Sequence, residues 1–127
     1  MTVDSSYFAS YTEDNTLFVE FDVPTLNDDN YNEVLEEMLE AIENTEATNL
    51  ALVLTGIRHI DTTAHVIFVH LAQALNEEGK IYFVNVQRHV QREIVHTFKT
   101  RRDSDRYYFA TSNKLKDVRP VAGESEL

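Results

Sequence analysis

The stretch Asn49-Leu50-Ala51-Leu52-Val53-Leu54-Thr55-Gly56-Ile57-Arg58-His59-Ile60-Asp61-Thr62-Thr63 decides how this chain folds. Asn49 to Leu54 is an apolar run of the length of a buried strand. Thr55 to His59, with Gly56 inside it, reads as a tight turn. Behind Asp61-Thr62-Thr63, the residues Ala64, Val66, Ile67, Phe68, Val69, Leu71, Ala72, Ala74 and Leu75 cover most of a helix circumference. Gly79 reads as the stop of that helix, and Lys80-Ile81-Tyr82-Phe83-Val84-Asn85-Val86 as a second buried strand. Strand, crossover helix and strand in succession favour parallel pairing, and such sheets place functional residues in the turns at the strand ends. The turn with Asp61, Thr62 and Thr63 is therefore where function is expected.

Upstream, Tyr7 to Tyr11 and Leu17 to Val23 are rich in aromatic and β-branched residues, and Glu13-Asp14-Asn15 between them suggests a hairpin or two adjacent strands. Asn27, Asp28 and Asp29 suit a helix start, and Tyr31, Val34, Leu35, Met38, Leu39 and Ile42 then recur at helical spacing, with Glu33, Glu36, Glu37, Glu40 and Glu43 facing water. Downstream, Gln87 to Phe98 predicts a helix with Val90, Ile94, Val95 and Phe98 on one side. Arg106 to Ala110 predicts a last strand, Asn113 to Val118 a short helical turn, and residues 119–127 a flexible tail. The order β-β-α-β-α-β-α-β-α describes one α/β domain over residues 1–118, a small mixed sheet packed with about four helices. Leu52, Val53, Leu54, Ile60, Phe83 and Val84 are expected in its core, because neither flanking strand alternates.

Composition narrows the classes. At 127 residues and 43% hydrophobic content the chain suits one domain with a real core. Cysteine is absent, which excludes disulfides, thiolate metal sites and a cysteine nucleophile. No apolar run is long enough to span a bilayer, and Met1-Thr2-Val3-Asp4-Ser5-Ser6 lacks the features of a signal peptide, so a cytoplasmic protein without membrane insertion is expected. The net charge of -11 divides into -13 over residues 1–57, which contain no Lys or Arg, and +2 over residues 58–127. Nucleic acid and anionic membranes need a cationic surface and are poor partners. The local exception, Arg88, Arg92, Lys99, Arg101, Arg102 and Arg106, reads either as a face that surface charges simply solvate or as a patch for an acidic partner or the acidic half of another copy, the latter giving a homo-oligomer.

Leu52-Val53-Leu54-Thr55-Gly56-Ile57 followed by Ile60-Asp61-Thr62-Thr63, the apolar helix, and Glu78-Gly79-Lys80-Ile81-Tyr82-Phe83-Val84-Asn85-Val86 leading to a helix with Val90 resemble the sulfate transporter and anti-sigma factor antagonist (STAS) domain. The resemblance covers residues 7 to 118. It implies a STAS-like fold and a protein-interaction module in which the residue after the aspartate, here Thr62, can accept phosphate. Phospho-switch members usually carry Asp where this chain has Val53, Gly where it has Ala64, and a further Gly near Asp22-Val23-Pro24. Ala64 suits a first helical turn, so these departures bear on kinase recognition of Thr62 and not on the fold. Stressosome-type and transporter-type members depart similarly.

Chemistry gives Thr62 two readings. A hydroxyl at a helix N-terminus is well placed for phosphate, near unpaired N–H groups and the positive dipole end. Equally, Asp61 or Thr62 is simply the N-cap. Thr63 is a second phosphoacceptor candidate. His59, His65, His70, His89 and His96 invite a metal or catalytic reading, with His89, Glu93 and His96 on one helix face, but Arg88 and Arg92 would repel a cation and no signature spacing is present. Three scattered glycines make no phosphate loop, and a threonine adjacent in sequence to its aspartate lacks the through-space geometry of an activated nucleophile. The expectation is a non-catalytic module without metal or cofactor. Its partner surface comprises Thr55, Gly56, Arg58, His59, Asp61, Thr62, Thr63, His65 and His70, facing a kinase or anti-sigma-type regulator. A soluble partner of a membrane transporter, and a domain binding a nucleotide or other small ligand at the same turn, are the alternatives.

Overall fold

The structure, a computed structural model, describes residues 3–4, 7–26 and 29–124. The first elements are β1 (Val3–Asp4), β2 (Phe8–Glu13), β3 (Thr16–Phe21), β4 (Thr25–Leu26) and α1 (Tyr31–Glu43). The central ones are β5 (Asn49–Val53), β6 (His59–Ile60), α2 (Thr62–Ala74), β7 (Ile81–Val84) and α3 (Arg88–Phe98). The chain closes with β8 (Tyr107–Thr111) and β9 (Lys116–Pro120), and single 3-10 turns lie at Ser104–Arg106 and Val121–Gly123.

The hairpin between β2 and β3 turns on Asp14 and Asn15, both at positive φ. That two-residue geometry matches the twist of paired strands and favours these residue types. From β3 the sheet grows by three parallel steps, to β5, β7 and β8, each through a helix. Antiparallel β1, β2 and β9 complete seven strands in the order β1-β2-β3-β5-β7-β8-β9. Because each crossover moves the sheet in the same direction, all three helices cover one face. Leu17, Val19, Leu50, Leu52, Ile81, Phe83, Tyr107 and Phe109 point into that layer and meet Met38, Phe68, Leu71, Ile94 and Phe98. The residues between them, Phe18, Ala51, Val53, Val84 and Ala110, form a second cluster on the other face, closed by Tyr11, Tyr82 and Leu115.

Leu52, Val53, Leu54, Ile60, Phe83 and Val84 are all buried, as expected of strands enclosed on both faces. Other expectations are corrected. The helical turn expected at Asn113 to Val118 is instead a tight turn followed by β9, so three α-helices are present among the described residues. The tail expected from residue 119 does not begin there. Arg119 pairs opposite Phe109 and bridges to Glu124 at 2.6 Å, and Val121 is fully buried, because the end of β9 folds back on the α3 layer. Residues 125–127 lie outside the described residues. The first helix starts at Tyr31 with Asn30 as N-cap, its side chain donating to the Thr25 carbonyl at 3.1 Å, while Asn27 and Asp28 fall outside the described residues. Gly79 does not end α2, which stops at Ala74 as Leu75 turns extended. At Gly79 a Cβ would lie 2.6 Å from the Thr48 carbonyl oxygen, so it is close approach that calls for glycine there.

Candidate functional site

Parallel strands bring the loops after β5 and β7 to the same edge of the sheet. Leu54 receives the Ile57 amide at 3.0 Å to close the turn after β5. The chain then pairs through β6 with β4, Thr25 opposite His59 and Leu26 opposite Ile60, and the Arg58 amide donates to the Pro24 carbonyl at 2.8 Å. From the other side α3 holds the same loop. His89 donates through Nε2 to the Arg58 carbonyl, since a carbonyl only accepts, and Gln87 donates to the Thr55 carbonyl at 3.4 Å. The loop from Thr55 to Ile60 is thereby tied to both of its neighbours.

At the start of α2, Asp61 is extended, and its Oδ1 accepts from the amides of Thr63 at 2.9 Å and Ala64 at 3.2 Å. Asp61 is thus the N-cap, and its carboxylate also complements the positive end of the helix dipole. Thr62 is the first residue of the helix and is exposed, whereas Thr63 is half-buried. Thr62 lines a cleft of about 310 Å³ together with His59, Ile60, Asp61, His89, Val90 and Glu93.

Of the expected partner-facing residues, Thr55, Gly56, Arg58, His59, Thr62 and His70 are exposed and Asp61 and Thr63 half-buried. Thr62, Val66, His70 and Gln73 form an exposed strip down α2, and Val66, at 41% exposure, is one of the few large apolar side chains open to solvent. His65 is the exception. It points inward, buried against Phe98 and Phe68 with ring centroids 5.7 and 6.3 Å away, and offers nothing to a partner. Its buried Nδ1 has no hydrogen-bond partner among the described residues. Loss of water around the cation lowers its pKa below the ordinary histidine value, with Glu93 and Asp61 pulling weakly the other way.

His89, Val90 and Glu93 of the cleft wall, and Val66 beside it, were not among the expected partner-surface residues. The signal for the first three lay in the parallel topology, which sets the start of α3 next to the loop after β5. Among the described residues no three His, Asp or Glu side chains converge as metal ligands, and no helix is long and apolar enough to cross a membrane.

A one-sided helix layer on a mixed sheet, with an exposed hydroxyl residue after an aspartate cap at the edge of that sheet, defines an α/β domain built to present a surface. The STAS domain family model matches residues 7–101, and the chain belongs to that family. It is a STAS-type regulatory or interaction module, a kind of domain that generally works through protein partners and not through catalysis. Among curated proteins no match to the chain was found.

Proposed function

We propose that the module is non-catalytic and cytoplasmic, and that it binds a regulatory protein, a kinase or an anti-sigma-type regulator, through the surface of Thr55, Gly56, Arg58, His59, Asp61, Thr62 and Thr63 and the strip of α2 through Val66 and His70. In this reading Thr62 is the phosphoacceptor that switches the contact. The observation that carries it is the division of roles at the start of α2. Asp61 takes the cap, so the Thr62 hydroxyl is not needed for the helix and stands exposed at the cleft.

Phosphorylation there adds nearly two negative charges next to the carboxylates of Asp61 and Glu93. A partner approaching closely meets repulsion worth several kcal/mol. The helix itself tolerates the charge, which sits at the positive end of its dipole. Thr62→Asp is therefore expected to keep the wild-type melting temperature and to lose the partner captured by the wild type. Thr62→Ala is expected to bind at least as well, with stability within about 0.5 kcal/mol, since no cap is removed. Pull-down with both variants, and mass spectrometry of the protein from its native cells, decide the matter. Equal capture by both variants and no phosphate on Thr62 or Thr63 would end the switch reading.

The cleft beside Thr62 favours one second reading, a small ligand seated among His59, His89 and Glu93. A ligand at 100 times its dissociation constant stabilises the domain by about 2.7 kcal/mol, which a thermal-shift screen detects.

A further inference from the structure

At the end of the molecule away from Thr62, the C-terminal ends of α1 and α2 enclose a groove of about 410 Å³. Leu39, Ile42, Ala47 and Leu75 give it an apolar floor, and the exposed Glu43 and Glu46 an acidic rim. Neither helix has a basic residue in its last turn, so both negative dipole ends lie there without a countercharge of their own. Glu77 and Glu78, also exposed, lie in the loop that follows α2. Such a groove suits a Lys or Arg side chain, whose methylene stem covers the floor while its head meets the rim.

The chain carries these side chains next to the groove. Arg106 donates to the carbonyls of Asn76, a groove residue, and Gly79, each at 2.9 Å, which fastens the segment after α3 to the segment after α2. On that segment Arg101 is engaged by Asp103 at 3.0 Å. Lys99 and Arg102 are exposed and belong to no ion pair among the described residues. Neither lines the groove of its own chain. An acidic groove and a basic lobe side by side at one pole meet the condition of an isologous interface, in which a two-fold axis sets each lobe against the other copy's groove.

We propose that this pole is a homodimerisation surface and that the groove is occupied by Lys99 and Arg102 of a second copy. Two chains of net charge -11 repel at long range, but beyond about 8 Å that repulsion is screened at physiological salt, while contacts inside the groove are shorter. The Thr62 turn lies at the other end of α2, about 20 Å away for a helix of its length, so the dimer keeps both partner surfaces open.

Sedimentation equilibrium of the whole chain tests this. The wild type is expected to dimerise at about 0.15 M salt and to dissociate at about 1 M, where the screening length falls to about 3 Å. Glu43→Lys/Glu46→Lys and Lys99→Glu/Arg102→Glu are each expected to dimerise at least tenfold more weakly. Their equimolar mixture is expected to regain the dimer, because in the mixed pair one contact is reversed on both sides and the other is the wild-type contact. Circular dichroism checks that each variant is folded. Should one not fold, Glu43→Gln/Glu46→Gln and Lys99→Gln/Arg102→Gln serve instead, and an unchanged dimer in both overturns the proposal. A monomeric wild type, which would leave the groove to a foreign cationic segment, overturns it as well. So do particles larger than a dimer, full dimerisation of the charge-reversed variants alone, or a folded mixture that stays monomeric.

Discussion

Where α2 begins, the Asp61 carboxylate holds the Thr63 and Ala64 amides, and Thr62, one residue on, is left open to solvent. Both residue types are good N-caps, so the sequence could not choose between them; only the extended backbone of Asp61 does. The burial of His65 escapes the sequence for a related reason. A helix apolar almost all round has no polar stripe to mark its rotation, and the side that carries a histidine cannot be read from spacing alone. Its burial has a measurable sign. The folded-state pKa of His65 lies below its unfolded value of about 6.5, so above that pH both states are neutral and its contribution is full. As pH falls below about 6.5 the unfolded chain takes up the proton first, and stability is lost down to the folded pKa. His65→Leu removes this contribution. Between pH 7.5 and 5.5 the wild-type melting temperature is expected to fall further than that of His65→Leu, and parallel pH curves for the two proteins would show that His65 is not the group responsible.

At the level of elements, the long apolar strands, the amphipathic α1 and the Asp14-Asn15 hairpin were legible because each carries a period or a turn signature of its own. β4 and β6 are two residues each, too short for any period, and exist only because the loops after β3 and β5 meet. The expectation of a helical turn at Asn113 to Val118 and a tail beyond it fails because Lys116 to Pro120 does not alternate, and Ser112, Leu115 and Asp117 at positive φ break the strand pattern with an irregular register against β8. The cleft was half legible: its Asp61-Thr62 side is a local motif, whereas its His89-Glu93 side depends on strand pairing. Gly56 and Gly79 show the same contrast between local and tertiary causes. Neither has positive φ, but a Cβ on Gly79 would press on the Thr48 carbonyl and, at 2.8 Å, on the Leu75 Cβ, whereas one on Gly56 meets nothing within 4 Å. Gly79→Ala is expected to cost about 1 to 3 kcal/mol through overpacking. Gly56→Ala should be neutral or stabilise by up to about 1 kcal/mol, by restricting the unfolded chain. Urea denaturation of the two variants measures both, and equal midpoints would contradict the close approach at Gly79.

For the molecule as a whole, the consequence of placing every helix on one face is that the two apolar clusters are closed by different means. Leu52 lies in the middle strand of the sheet, between Val19 and Phe83 in register, beneath the helical layer and fully buried. Leu115 closes the opposite cluster from a turn and remains half-exposed. The same chemical deletion at the two positions therefore measures the two faces. Leu52→Ala leaves a cavity between strands and helices that cannot collapse, at a cost of about 2 to 5 kcal/mol. Against a total stability of about 5 to 15 kcal/mol for a domain, this lowers the urea midpoint strongly and can unfold a marginal protein. Leu115→Ala opens a face already in contact with water, where a turn can relax, and is expected to cost less than about 2 kcal/mol. Both variants should unfold in one cooperative step with an unchanged denaturant slope, since a single sheet joins the two clusters. If Leu115→Ala costs as much as Leu52→Ala, the face opposite the helices is as closed as the core, and the one-sided architecture is not what sets the stability of this domain.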